Sequence, residues 1–288
     1  MEAIQAQKWI KNELIAAGIE LAEAESEARL LLAAAMDLPL SHLPLHGREP
    51  VDQQWLWQRL KRRVQGEPLQ YILGETEFMG LVYQALPQAL IPRIDSEIVV
   101  EWGITLMRRM LVAGARPQIA DICTGGGAFA IALAHYLPQV QVVAVDISPE
   151  ALAIARENAA MNKVSAQIDF LQGDLLQPLL TQGLQVPLII ANPPYIPSGE
   201  ISGLGRELAY EPLLALDGGA DGLDFYRRLA AEAGAALLPG GYLLLEHGAG
   251  QRGDIVSLLQ QAGWNICQLI NDYGRRERGI VAVLNLPK

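Results

Sequence analysis

Cysteine is nearly absent from this chain. The 288 residues hold two, Cys123 and Cys267, far apart and in no CxxC pattern. That argues against a disulfide framework and against a zinc site. Histidine is scarce too: His42, His46, His135 and His247 are scattered and form no ligand-spaced pair on one helix face, so no metal is expected. Positive charge is in short supply, with 22 Lys and Arg against 32 Asp and Glu and a net charge of −10. Tight, sequence-independent binding to nucleic acid needs a basic face, so direct nucleic-acid binding is not expected. The one dense basic run, Arg59-Leu60-Lys61-Arg62-Arg63, reads as a solvated helix face. No secretory pattern opens the chain and no apolar run reaches membrane-spanning length. No membrane association and a reduced, cytoplasmic compartment are therefore expected.

Hydrophobic residues make up 51% of the chain, enough for one large domain or a large and a small one. The first seventy or so residues read as helices. Residues 2–17 end at Gly18, which suits a helix C-cap. Residues 22–36 carry Leu21, Ala24, Ala28, Leu31, Leu32 and Ala35 at helical spacing. A third helix over 51–65 has Trp55, Leu56, Leu60 and Val64 as its stripe, and Gly66-Glu67-Pro68 ends it. Residues 78–83 and 85–91 look like two short strands of a hairpin, followed by a helix running to Ala113. The division expected is a helical domain over 1–72, a hairpin linker over 73–93 and a second domain over 94–288.

From Gln118 the chain alternates. Strands are expected at 118–122, 140–145, 167–171, 188–191 and 242–246, and helices at 128–137, 149–161, 225–237 and 255–262. Such alternation means an α/β fold with a mostly parallel sheet wrapped by helices. Two last strands, near 265–270 and 280–285, are joined too tightly for a parallel crossover, so one of them should run antiparallel.

The loops after these strands carry the chemistry. The first is Cys123-Thr124-Gly125-Gly126-Gly127, between a strand and a helix. Glycines let backbone pass close to a ligand, and free N–H groups at a helix start favour a carboxylate or phosphate. The second strand ends at Asp146, placed to take a ribose hydroxyl pair, and the third leads into Gly173-Asp174-Leu175. Ligands sit at the carboxyl ends of strands in such sheets. A pyrophosphate favours a G-x-G-x-x-G turn, which the loop after the first strand lacks. The adenosyl group and positive sulfonium of S-adenosyl-L-methionine suit an acidic site better. The fourth strand ends in Asn192-Pro193-Pro194-Tyr195, which holds no acid, base or nucleophile. Alone, it is equally a strand end followed by a rigid turn.

Together the glycine loop, Asp146, Asp174 and Asn192-Pro193-Pro194-Tyr195 resemble a Rossmann-like class I methyltransferase that modifies amino groups. Further segments resemble the release factor glutamine N5-methyltransferase family: Gly66-Glu67-Pro68-Leu69-Gln70-Tyr71, Ile91-Pro92-Arg93, Tyr210-Glu211-Pro212, the run from Ala215 to Leu223, and Leu245-Glu246-His247-Gly248. The resemblance covers nearly the whole chain. It implies methyl transfer from S-adenosyl-L-methionine to the glutamine of the Gly-Gly-Gln motif in peptide chain release factors. It also implies that the Asn192 side-chain oxygen and the Pro193 carbonyl accept the two amide hydrogens, with Pro194 stiffening the loop and Tyr195 against the flat amide. Cys123, Thr124, Gly125, Gly126, Gly127, Asp146, Asp174, Leu175 and Asn192 are the cofactor residues it implies. A monomer and a release-factor partner docked by the helical domain are expected.

Two alternatives stay open. The sister family that methylates a glutamine of a ribosomal protein shares Cys-Thr-Gly and Val-Asp-Ile-Ser-Pro-Glu, and nucleic-acid adenine N6-methyltransferases share Asn-Pro-Pro-Tyr. The chain departs from the release-factor family at Cys123, where glycine is usual, and at Ile94 to Glu97. Cys123 is expected to be a small buried filler rather than a nucleophile. Arg93 and Glu97 either order the loop near the methionine end or pair with each other. His247 is expected to be structural.

Overall fold

The computed structural model describes residues 1–111 and 117–284. Two compact units form: Met1–Glu75 together with Gly205–Tyr210, and Thr76–Leu204 together with Glu211–Lys288.

The first unit is helical, with α1 (Ala3–Ala16), α2 (Leu21–Met36), α3 (Gln53–Val64) and the short α4 (Leu69–Leu73). Gly18, at φ 92°, ends α1 as its position predicts. Asp52 caps α3 by accepting from the Trp55 N–H at 3.0 Å. The core gathers Ile10, Leu14, Ala28, Leu31, Leu56 and Leu60. The expected stripes are only partly buried: Leu21 is exposed, and Trp55 and Val64 are half-buried.

The solvated-face expectation for the basic run fails at Arg63. This residue follows Leu56 and Leu60 at i+7 and i+3, so helical geometry turns it inward. Its side chain is 2% exposed. Nε donates to both carboxylate oxygens of Glu27, at 2.9 and 2.8 Å, and Nη2 donates to Glu207 at 2.5 Å. Glu207 belongs to the Gly205–Tyr210 segment, which the linear order of the chain gives no reason to place with the helices.

In the second unit a hairpin of β1 (Glu75–Phe78) and β2 (Leu81–Gln84) comes first. Its turn is Met79-Gly80, both at positive φ. The turn therefore falls inside the stretch 78–83 expected as a single strand, and 85–91 runs as a loop. Methionine is an unusual turn residue, and tertiary bonds hold it. The Met79 N–H donates to Glu97, and the Tyr136 hydroxyl donates to the Met79 carbonyl.

Then follow α5 (Glu97–Met110), β3 (Gln118–Ile122), α6 (Ala128–Tyr136), β4 (Gln141–Asp146), α7 (Pro149–Met161), β5 (Ile168–Gln172), α8 (Gln177–Gln182) and β6 (Val186–Ala191). After a long loop come α9 (Asp224–Ala236), β7 (Leu237–Glu246), α10 (Arg252–Gln261), β8 (Trp264–Asn271) and β9 (Glu277–Leu284). The expected ends of the fifth helix at Ala113 and of the last strand at Asn285 lie outside the described residues.

The sheet order is β5-β4-β3-β6-β7-β9-β8. β9 runs antiparallel between β7 and β8, and the other neighbouring pairs from β5 to β7 are parallel. The fold is the mostly parallel α/β sheet that the alternation implies. Strand residues alternate between two cores. Ile119, Val142, Ile190 and Leu244 face α5 and α6, whereas Ala120, Val143, Ile189 and Leu243 face α9 and α10. Burial on both faces explains the continuous apolar runs of β4 and β6. The chain order reverses between β3 and β6, and the carboxyl ends of β4, β3, β6 and β7 line up at one sheet edge.

Candidate active site

The glycine loop at the end of β3 is held from beneath by Asp121. This carboxylate is buried; it accepts from the Thr124 hydroxyl at 2.6 Å and from the Ala130 N–H at 3.0 Å. Burial pushes its pKa up to about 7, against those two bonds. Cys123 has φ 61°, in the left-handed region where a glycine is at ease. Burial, with Asp146 and Asp121 nearby, pushes its thiol well above the ordinary value, so it is no nucleophile at neutral pH.

Asp146 closes β4. Its Oδ2 accepts from the Gly125 N–H at 2.7 Å and its Oδ1 from the Ser148 N–H at 3.0 Å. Each oxygen keeps a lone pair for another donor. Burial raises the group and the backbone bonds to Ser148 and Gly125 oppose the rise. Asp174 lies in the loop after β5 and accepts from Arg228 at 2.8 Å.

These loops enclose a cavity of about 250 Å³ whose wall includes Cys123, Gly125, Asp146, Asp174, Leu175 and Asn192. A smaller space of about 60 Å³ shares Ala89, Leu90, Cys123, Gly125 and Asn192 with it and adds Thr124, Gly126, Arg93 and Ser96. Asn192 thus faces both. Gly127 does not reach either wall; it starts α6 against Ile131 and Ala155. Pro194 lines the larger cavity, whereas Pro193 and Tyr195 line neither.

The Asn-Pro-Pro-Tyr run leaves β6 directly after Ala191, with Asn192 and Tyr195 half-buried and both prolines buried. The Tyr195 carbonyl accepts from Gln251 at 2.8 Å. Gly222 packs so closely that a Cβ there would collide with the same carbonyl oxygen. The 215–223 segment therefore braces this loop. Burial, then Glu246, raises the Tyr195 phenol, while Arg278 and Arg93 oppose.

Several residues near the site are not among those the resemblance implies for it. Arg228 and Phe225 from α9 and Pro212, Leu214 and Ala215 join the cavity wall. Glu211 is buried and accepts from the Ile91 N–H at 3.3 Å and from Arg93. Of the two alternatives for Arg93 and Glu97, pairing with each other is not the one seen: Arg93 turns to the Tyr-Glu-Pro motif, and Glu97 is held by the hairpin turn. The one sequence signal for the Arg93–Glu211 pair is that both residues lie in motifs that carry the resemblance. His247 is fully buried, with Nδ1 2.8 Å from the Gly248 carbonyl oxygen. It lies on neither of these two cavity walls.

The chain matches two family models, the PrmC N-terminal domain over residues 5–74 and the Methyltransferase small domain over residues 95–207. It is 42% identical over 271 residues to the release factor glutamine methyltransferase of Moorella thermoacetica, covering 93% of this chain and 94% of that one. The enzyme of the same name from Geobacter sulfurreducens is 40% identical over 268 residues, covering 92% and 90%. Among solved structures, the hMettl16 catalytic domain in complex with an RNA hairpin superposes with a TM-score of 0.56 at 16% identity, covering 83% of this chain and 86% of that one. At that identity the likeness concerns the fold alone.

Proposed function

The chain belongs to the release factor glutamine methyltransferase family, and from that premise we propose the donor, the acceptor atom and the residues of its reaction. It methylates the glutamine of release factors. The donor assigned is S-adenosylmethionine and the acceptor is the side-chain amide nitrogen in Gly-Gly-Gln.

The cavity fits that donor better than a dinucleotide. Its wall is acidic, and the two arginines on it, Arg93 and Arg228, are already paired with Glu211 and Asp174. Among the described residues, a pyrophosphate would find no uncommitted cation on that wall. Asp146 keeps lone pairs for a ribose hydroxyl pair, and the backbone from Cys123 to Gly126 skirts the wall. Asp174 and Leu175 close the adenine end. Gly127 serves by letting α6 start close to α7. S-adenosylmethionine, when bound, supplies an electrophilic methyl group.

What the chain must do is orient a weak nucleophile. An amide lone pair is delocalised into its carbonyl. The Asn192 side-chain oxygen and the Pro193 carbonyl accept the two N–H groups, and proline adds no competing donor. The two buried prolines keep these acceptors from reorganising. Tyr195 stays neutral and stacks on the flat amide. Most of the rate then comes from positioning. The observation that carries this assignment is Asn192, which faces both cavity lobes from the strand end beside the glycine loop.

The helical unit docks the release factor, because one glutamine offers too little interface for specificity. A monomer in the cytoplasm, where release factors work, is the form proposed, with no nucleic acid bound directly. The test is labelled S-adenosylmethionine with release factor, ribosomal protein and DNA in separate reactions. Label appears in the release factor and is lost when its Gly-Gly-Gln glutamine is replaced. Asn192→Ala lowers turnover by on the order of 10²–10³-fold while donor affinity stays within a few-fold. Label confined to DNA or the ribosomal protein overturns the assignment.

A further inference from the structure

Glu246 is the last residue of β7, and its carboxylate is buried beside the acceptor loop. Ala191 of β6 is paired with Leu245 of β7. The next residues along, Asn192 and Glu246, are therefore neighbours at the sheet edge. Alternation puts both on the face that Ile190 and Leu244 present to α5. Ser96, just before α5, donates to Glu246 Oε1 at 2.9 Å. The Arg278 guanidinium stands 3.9 Å away. The second oxygen, Oε2, is shut off from solvent with no partner at full hydrogen-bond distance among the described residues. Burial raises the pKa of this carboxylate, and the Asn192 side chain is the least of the groups that oppose the rise, after Ser96 and Arg278.

An ionised carboxylate only accepts hydrogen bonds, whereas a carboxamide has an accepting and a donating end. With Glu246 behind it, Asn192 has one favourable orientation: Nδ2 toward the carboxylate and Oδ1 toward the incoming substrate amide. The flipped rotamer sets two acceptors face to face behind the loop and two donors face to face at the substrate. We propose that Glu246 is a positioning residue that fixes the Asn192 amide with its oxygen toward the acceptor glutamine. The standing gap at Oε2 leaves room for the tightening that catalytic hydrogen bonds undergo when substrate binds. This deepens the amide-methylation assignment and rests on it.

Protonation gives the idea a second handle. Burial pushes Glu246 up to about 7, while Ser96, Arg278 and Asn192 hold it down and Asp95 adds to the rise. The groups around it are Asp95 and Ser96 before α5, Arg278 on β9 with its partner Asp272, the Tyr195 phenol, and Tyr226 of α9, whose hydroxyl donates to the Glu246 backbone carbonyl at 2.8 Å. Glu246 itself changes charge near neutrality. A protonated Glu246 can donate, and the flipped Asn192 becomes acceptable. Asp121, also pushed up to about 7, holds the glycine loop, so its protonation acts on donor binding instead.

Two measurements test this. The first leaves Glu246 and Asn192 unaltered: the side-chain amide resonances of Asn192 are followed from pH 5 to 9. They should titrate with Glu246, and still do so in Asp121→Asn; an Asn192 amide that stays put across this range overturns the proposal. The second compares kcat and KM. Glu246→Gln permits both Asn192 orientations. It should lower kcat by on the order of 10- to 100-fold, abolish the acid limb of kcat, and leave donor KM within about threefold, which separates positioning from binding. Glu246→Asp, still acceptor-only, should restore the acid limb and part of kcat. An unchanged kcat, or a loss carried equally by donor binding, sinks the positioning role. A wild type that labels no release factor defeats the amide-methylation assignment instead, and the amide titration still reports on Asn192.

Discussion

The helical unit and the sheet unit each bury charge, and they treat it in opposite ways. Arg63 is enclosed by carboxylates: both oxygens of Glu27 take its Nε, Glu207 takes an Nη, and Glu23 stands at 3.7 Å. The buried acids at the sheet edge are left short of partners. Glu246 has Ser96 on one oxygen and, among the described residues, nothing at bonding distance on the other; Asp121 has two donors for a full charge. A buried charge that is fully paired fixes a fold. One that is short of partners keeps capacity for something that arrives later, at a cost in stability. The cluster around Arg63 ties α3, α2 and the 205–210 segment together; the acids lie at the ends of β3 and β7, beside the loops that line the cavity.

The largest test of that contrast is to break the paired cluster. Arg63→Met strands Glu27, whose pKa burial already raises against the pull of Arg63. Removing one partner of a buried pair costs about 3–5 kcal/mol. Urea unfolding followed by the helical signal should show this loss. The double variant Arg63→Met with Glu27→Leu should recover most of it, since apolar replacement of a whole buried pair is often neutral. A single variant as stable as wild type would show the cluster to be incidental.

The underpaired acids predict a pH dependence of opposite character. Asp121 and Glu246 have folded pKa values near 7, above their ordinary values of 3.8 and 4.5. Each binds its proton more tightly folded than unfolded. Folding therefore takes up protons between roughly pH 4 and pH 7, and the stabilisation is lost as pH rises through the folded values. A tenfold difference in proton affinity between the folded and unfolded chain is worth about 1.4 kcal/mol. The sheet unit should therefore lose on the order of 5 kcal/mol between pH 5 and pH 8. Asp121→Asn should remove about half of the slope of the urea-midpoint profile, Glu246 keeping the rest. A midpoint that rises steadily from pH 5 to pH 8 would refute the underpairing.

Arg93 and Glu211 sit between these extremes. Glu211 is buried, but Arg93 is 41% exposed and the carboxylate keeps the Ile91 N–H. Solvent screening therefore limits the pair, and Arg93→Ala should cost about 1 kcal/mol in chemical denaturation. A loss as large as that of Arg63→Met would place this pair with the enclosed cluster.

Much of this architecture is readable in the sequence because it is periodic or local. Apolar runs at 142–145 and 188–191, and a third at 119–122 broken by Asp121, each with glycine, aspartate or proline within the next three residues, dictate buried parallel strands and loops at one edge. The loops at 123–127, 146 and 174 follow from that order, and their chemistry follows from their residue types. What escapes depends on partners far along the chain. Arg63 looks like surface because nothing in a run of four basic residues tells which one meets Glu27. Arg93 stands near Glu97 in sequence, yet its carboxylate lies 118 residues away. Glu246 is visible only as the polar end of an apolar strand. Its place behind Asn192 needs the β6–β7 register, which no local pattern encodes. The hairpin turn falls where the sequence does not announce it, because Met79 adopts a left-handed conformation that only tertiary bonds to Glu97 and Tyr136 make acceptable.

The smallest effect concerns Cys123, the non-glycine residue that opens the glycine loop in a left-handed conformation. Cys123 holds φ 61°, and a non-glycine residue there costs about 1–2 kcal/mol. Cys123→Gly relieves that strain but frees the unfolded chain, which offsets about 0.5–1 kcal/mol. The net expectation is a gain of about 0.5 kcal/mol, with donor affinity changed by no more than a few-fold, because the loop's bonds run through Thr124, Gly125 and Asp121 rather than through the thiol. Alkylation gives an independent reading of the same environment. Burial raises both thiols, but Cys267 is exposed and Cys123 is half-buried among three aspartates that oppose its ionisation. Iodoacetamide at about pH 8 should therefore modify Cys267 first and leave methyl transfer intact. If Cys123 reacts first, or if Cys123→Gly destabilises the protein by more than about 1 kcal/mol, the thiol is packing against the loop rather than merely occupying a glycine's place, and the sheet edge is more tightly built than its underpaired acids suggest.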